Sequence, residues 1–474
     1  MSRLIPFRWW MQALVAVGAA LVFVFASSLT AFASVSIVQL STDPYTNTSS
    51  QHQTEVEPDV YSYGSTIVSA FQAGRFSSGG SSNIGWATSS NGGTSWSNGF
   101  LPGTTVYATP AGTYTADSDP TVAYDADHST WLIASLAVST PSGSPVGAAV
   151  LVSQSTNGGT TWSNPVVVKA ITGNQFFDKD WIVCDDTSTS AYYGNCYVEW
   201  DDNGNGNLIY MSTSSNGGST WGSPLTTANN AHGTGGQPLV QSNGTVIVPI
   251  DNANDTSVLA FNSTNGGTSW SSTTTVASIS THTDAGSIRS EPLPSAQIDG
   301  AGNIYVVWQD CRFERRCSAN DLVMSTSSNG TTWSSVARIP ADAVGSGVDH
   351  FIPGLAIDRS TSGSTAHLVL TYYYYPVANC SSSTCQLDIG YVSSTNGGSS
   401  WNTTTNIAGP MTLSWLPNTT DGRMVGDYIA GAFNTSGVAF PVFAVANTPT
   451  GGTNCGATGV TCHEAMYTTA SGLT

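Results

Sequence analysis

Six copies of one short stretch decide what this chain can fold into. Ser89 to Trp96 reads SSNGGTSW, Ser155 to Trp162 reads STNGGTTW, and Ser214 to Trp221 reads SSNGGSTW. Ser263 to Trp270 and Ser394 to Trp401 repeat the pattern, and Ser327 to Trp333 is one glycine short. The tryptophans stand 66, 59, 49, 63 and 68 residues apart. Self-similarity at this period demands a repeat architecture. Asn-Gly-Gly supplies backbone that accepts positive φ, the chemistry of a tight hairpin. Neighbouring hydroxyls can bond the turn amides, and the closing Trp can pin the turn onto its own unit. Short alternating runs flank each copy, such as Ala148 to Val152 before the second and Pro165 to Val168 after it. Each copy therefore joins two antiparallel strands.

These residues resemble the Asp-box (BNR) repeat, S-x-D-x-G-x-T-W, of sialidases and their β-propeller relatives. The Asp position is Asn in every copy: Asn91, Asn157, Asn216, Asn265, Asn329 and Asn396. The resemblance implies an all-β propeller of seven four-stranded blades, with six as the alternative count. Six blades carry the box between third and fourth strands. The tail from Gly426 has no box, and Val35 to Leu40 could close its sheet. That gives a single domain over residues 34–474. Closing the ring removes open edge strands.

Residues 1–33 read as a secretory signal peptide. Arg3 and Arg8 precede an apolar run from about Ala13 to Ala26, and Ala31-Phe32-Ala33 offers a cleavage site. A secreted, extracellular protein is expected. The formal charge is −18, which excludes nucleic acid as a natural partner. A monomer with a glycan partner and no stable membrane span is expected. The eight cysteines fall into four local pairs: Cys184 with Cys196, Cys311 with Cys317, Cys380 with Cys385, and Cys455 with Cys462. An oxidising compartment favours disulfides, and no C-x-x-C or Cys/His cluster suggests a metal.

Blades open with an acid or amide before an apolar strand: Glu57-Pro58, Asp119-Pro120, Asp180-Trp181, Gln237-Pro238, Glu291-Pro292 and Asp427-Tyr428. First strands are innermost in propellers, so these residues should ring one mouth of the central channel. The resemblance assigns Tyr428 as nucleophile, Glu291 as the glutamate that activates it, and Asp119 (or Asp59 or Asp180) as acid. An unassisted phenol titrates near pH 10, so such a nucleophile needs a carboxylate beside it. Arg75, Arg289, Arg312 and Arg423 are the candidate substrate-binding cations, with Glu57, Asp180 and Asp427 beside them. The sequence departs from the family where its first arginine would stand, at Val56-Glu57-Pro58-Asp59, and where its acid would stand, at about Asn83. A glycoside hydrolase of sialidase type and a non-catalytic carbohydrate- or protein-binding propeller both remain open. No cofactor is required. Ca²⁺ would suit the ring of acids, but no EF-hand-like loop is present.

Overall fold

The computed structural model describes residues 35–140 and 144–474; the expected signal peptide lies outside them. Val35–Thr474 forms one compact unit. The fold is all-β in antiparallel meanders arranged as a propeller. Five separate sheets have blade size. Three strands cover 177–214, five cover 233–278, four cover 295–339 and four cover 350–412. In the fifth sheet, Ile37–Gln39 pairs with Thr461–Thr469 next to Ala439–Thr450 and Ala430–Phe433. The remaining large sheet, 55–170, has eight strands.

This corrects the expected count of seven blades, or six: only five sheets stand as separate blades. The first two expected blades run together. Ser81 pairs with Asp117 across their boundary, and the Ser81 hydroxyl donates to the Asp117 carbonyl at 2.8 Å. The main-chain pairing joins two meanders into one ladder, and the hydroxyl bond braces it.

The box turns share one plan, except that Trp270 and Trp333 leave Nε1 without a partner and the short copy at Asn329 accepts from Thr331 and Thr332. In the second copy, Asn157 Oδ1 accepts the Thr161 N–H at 3.0 Å, and Asn157 Nδ2 donates to the Thr161 hydroxyl at 2.7 Å. Gly159 N–H donates to Ser155 Oγ, and Trp162 Nε1 donates to the Gly159 carbonyl. Gly158 and Gly159 sit at φ 76° and 77°, where a side chain would be strained. The turn does not pin only its own unit. A Cβ on Gly159 would lie 2.8 Å from Val68, one on Gly218 would lie 2.9 Å from Leu132, and one on Gly93 would strike Phe440. Each box is thus a wedge against the preceding meander. The first box, against Phe440 of the terminal sheet, brings the two ends of the chain together.

Asn157→Ala is expected to cost about 1 kcal/mol, since exposed turn bonds are worth about that much each. Asn157→Asp should fall within about 0.5 kcal/mol, because the accepting oxygen stays and Thr161 can turn its hydroxyl to donate. Urea midpoints of the two variants check this.

All four expected cysteine pairs are disulfides. Each closes a local loop, which suits an oxidising compartment. Among the described residues no helix is long and apolar enough to cross a membrane.

Candidate functional site

The inner strands carry a recurring distortion. Glu57 (φ 56°), Asp119 (φ 47°), Lys179 (φ 45°) and Ile352 (φ 50°) adopt left-handed backbone. Each sits where pairing to the second strand slips by one residue. A bulge of this kind re-aims a side chain, and non-glycine residues in this region cluster at functional sites. Here three bulges aim Glu57, Asp119 and Lys179 at one point.

This geometry corrects the expected alignment of the inner strands. The 177–214 sheet places Lys179, not Asp180, beside Glu57 and Asp119. Two residues past the bulge, side chains bond the next inner strand. Asp59 Oδ2 accepts Val122 N–H at 2.7 Å, and Thr121 Oγ1 accepts Ile182 N–H at 3.2 Å. Gln237 Oε1 accepts Ala296 N–H at 2.7 Å, and Ser295 Oγ accepts Leu355 N–H at 3.0 Å. Gln237 and Ser295 therefore match Asp59 and Thr121. The equivalent positions in those sheets are Gly235, at φ 62°, and Leu293, which is not in left-handed backbone. Gln237 and Glu291 do not occupy them.

Lys179 is the hub of the site. Its ammonium lies 3.5 Å from Asp119 Oδ1 and 3.7 Å from Glu57 Oε1, and it contacts Asp427 Oδ2. Arg289 contacts the same Asp427 oxygen through Nη2. Its Nη1 is 3.7 Å from Asp421, and its Nε is 3.9 Å from Glu291. Gln72 donates to Glu57 Oε2, and the Asp427 N–H donates to Glu57 Oε1 at 3.3 Å. Glu57, Asp119 and Asp427 are all nearly inaccessible to solvent.

Burial and neighbouring charge divide these groups. Burial, with Asp119 and Asp427 adding to it, pushes the Glu57 carboxyl well up, against Lys179 and Arg289. Burial would raise Asp427 too, but Arg289 and Lys179 overcome it and hold it below the usual carboxylate range. Burial opposes the charge on Lys179, and Asp119, Asp427 and Glu57 together reverse this, so the ammonium stays charged.

A cavity of about 140 Å³ opens on this cluster, lined by Glu57, Arg75, Asp119, Asp178, Lys179 and Arg289 among others. Arg75 donates to the carbonyls of Phe76 (3.0 Å) and Gly80 (2.6 Å) and bonds no carboxylate. Four of the expected site residues (Glu57, Arg75, Asp119 and Arg289) are thus brought together, and Asp427 anchors two of the cations. Lys179, one of only two lysines in the chain, was not among the expected residues.

The other expected residues lie elsewhere. Tyr428 is buried, edge-on to Trp181 at 5.1 Å, and its hydroxyl donates to the Pro120 carbonyl at 3.1 Å. Burial and the nearby acids Glu57, Asp119 and Asp180 push its pKa well above 10. Among the described residues no hydrogen bond joins Tyr428 to Glu291, whose side chain is 46% exposed beside Arg289. Asp180 is 1% exposed, and neither carboxylate oxygen has a hydrogen-bond partner. Arg312 grips both oxygens of Asp310, in the loop of the Cys311–Cys317 disulfide, and does not line the cavity. Arg423 donates to the Leu416 and Cys455 carbonyls.

No protein-family profile and no curated protein matches this chain. Solved structures do. An ulvan lyase of polysaccharide lyase family PL25 superposes with a TM-score of 0.52 at 10% identity, over 91% of this chain and 95% of that one. It shows the same propeller fold. The Hadza microbial sialidase Hz136 gives 0.46 at 11% identity over 93% of both chains. The NanB sialidase of Streptococcus pneumoniae gives 0.43 at 15% identity, over 91% of this chain and 70% of that one.

Proposed function

We propose that this protein is a secreted glycan-acting propeller, a glycoside-cleaving enzyme of sialidase type, that takes an acidic sugar at the cavity around Lys179. One observation carries the reading. Three cations on separate stretches of chain, Arg75, Lys179 and Arg289, line a single cavity beside carboxylates. Lys179 and Arg289 are held by the buried Asp427 and Arg75 by backbone carbonyls, so all three are preorganised to receive a sugar carboxylate. The cavity's 140 Å³ admits that group and part of one ring. Structures of similar fold include a polysaccharide lyase and sialidases, in keeping with a carbohydrate substrate.

Glu57 is the proton donor in this reading, because burial pushes its carboxyl up and it lies 3.7 Å from the Lys179 ammonium. Asp119, sharing the same ammonium, is the second carboxylate. Two carboxylates flanking a scissile bond are the usual machinery of glycoside hydrolysis. Tyr428 activated by Glu291 is the rival nucleophile, and it requires the phenol to leave Pro120.

A binding-only propeller is the second reading. What favours it is that Asp427 already pairs with both Lys179 and Arg289. The deciding experiment is hydrolysis of a panel of chromogenic sialosides and uronides. Turnover should fall at least 100-fold in Glu57→Gln, the range for loss of a general acid, and should survive in Tyr428→Phe. Turnover lost in Tyr428→Phe and Glu291→Gln but kept in Glu57→Gln would move the chemistry to the tyrosine pair. Binding of acidic sugars without turnover would leave the binding reading.

A further inference from the structure

We infer that a second, larger groove beside the channel mouth binds the following units of the same glycan chain, so that the protein acts on an oligo- or polysaccharide rather than on a single terminal sugar. The inference rests on the reading of the mouth given above. The groove has a volume of about 780 Å³, against about 140 Å³ at the mouth. In a chain of net charge −18, no Asp or Glu is among its lining residues. The lining is hydroxyl and amide, with Asn47, Asn418, Asn454 and Thr458 as examples, and its ionisable members are His52 and Arg423. Such a surface matches the hydroxyls of a sugar and does not repel an acidic one.

The groove and the mouth share a wall. The hairpin Asn418–Arg423 runs between them, held to 287–289 by the Arg423 N–H on the Ser287 carbonyl (2.7 Å) and the Arg289 N–H on the Arg423 carbonyl (2.8 Å). Asp421, near its tip, faces the mouth, 3.7 Å from Arg289, while Asn418 and Arg423 line the groove. Ser77 and Ser78, adjacent in sequence, line one compartment each. A chain whose end sits at Lys179 has the groove next in its path.

The walls are also prepared in advance. Gln51 clamps Asn418 from both sides, donating to its carbonyl at 3.0 Å and accepting its N–H at 2.9 Å. The Cys462 N–H donates to the His52 carbonyl, and the Cys455–Cys462 disulfide ties off the far wall. Arg423 holds Asn454 through Nη2. A surface fixed before binding loses little entropy when a flexible polymer lands on it.

The test is calorimetric binding of sialyl-oligosaccharides and oligouronates of one to six units to the wild type, Thr48→Trp, Thr458→Trp and Lys179→Met. Thr48 and Thr458 are exposed, so a bulky side chain there fills the groove without entering the core; circular dichroism confirms folding. Wild-type affinity should rise at least tenfold from one unit to four, and that ratio should collapse in either Trp variant. Affinity that does not grow with length, or a ratio unmoved by both Trp variants, overturns the groove while leaving the mouth intact. Length-dependent binding indifferent to Lys179→Met supports the groove and removes the reading of the mouth. No binding by any ligand removes both.

Discussion

Lys179→Met is expected to destabilise the protein by about 3–5 kcal/mol, the usual cost of removing one partner from a buried ion cluster. The side chain is nearly isosteric, so packing changes little. What changes is charge. Asp119, Asp427 and Glu57 lose the ammonium they share, and only Arg289 remains on Asp427. The deficit should therefore depend on pH. In acid the stranded carboxylates take up protons, and the gap between variant and wild type should narrow. A cavity or a clash would give a gap that ignores pH. The double variant Lys179→Met/Asp119→Asn should recover part of the loss, since it removes one of the stranded charges. Urea unfolding at pH 5 and pH 8 measures each term. A gap equal at both pH values would show that Lys179 is held by packing and would also remove the electrostatic basis for the mouth.

Much of this architecture is legible in the sequence because it depends on local chemistry. The Ser-x-Asn-Gly turn needs positive φ at its glycines and hydroxyls nearby, and all of that lies within eight residues. The cysteine pairs are local for the same reason, with separations of 5 to 12 residues. What cannot be read is set by main-chain offsets. The pattern of acid before an apolar strand selects Asp180, but a one-residue bulge delivers Lys179 instead. The same pattern selects Glu291-Pro292, where the strand-to-strand bonds select Leu293-Pro294. The Ser81–Asp117 pairing that fuses two meanders is a main-chain contact between two polar residues and leaves no signature in either. The groove beside the mouth is assembled from segments more than 300 residues apart in sequence, at His52, Arg423 and Cys455, so no motif announces it.

Stability should rise as pH falls from 8 to 5, against the common pattern in which acid weakens a fold. The interior holds an unusual number of carboxyls that burial pushes up: Glu55 to about 8, Asp59, Asp117 and Asp186 to about 7, and Asp251 to about 9. Burial also drives Asp180, Glu199 and Glu464 well up, and both carboxylate oxygens of each of these three lack a hydrogen-bond partner. In the unfolded chain such groups titrate near pH 4. Between pH 4 and 7–9 the folded state keeps protons that the unfolded state has lost. Stability then falls with rising pH, by about 1.4 kcal/mol per pH unit for each proton so held. The contribution is fully present below about pH 4 and is lost as pH climbs through the folded-state values. Asp427 and Asp299 act the other way, since their depressed values cost stability only in stronger acid. Burial lowers His350 and His367, and they oppose the trend only up to about pH 6.5. Self-repulsion at a charge of −18 adds to the loss at high pH. The melting temperature at pH 5 should exceed that at pH 8 by more than about 5 °C. Glu199→Gln separates burial from general repulsion. It removes one raised carboxyl at a site without hydrogen-bond partners, so it should stabilise the fold at pH 8 and do little at pH 5. A variant that gains equally at both pH values would show that Glu199 is not the proton-holding group, and a wild type that melts higher at pH 8 would mean that cations, not protons, satisfy these buried acids.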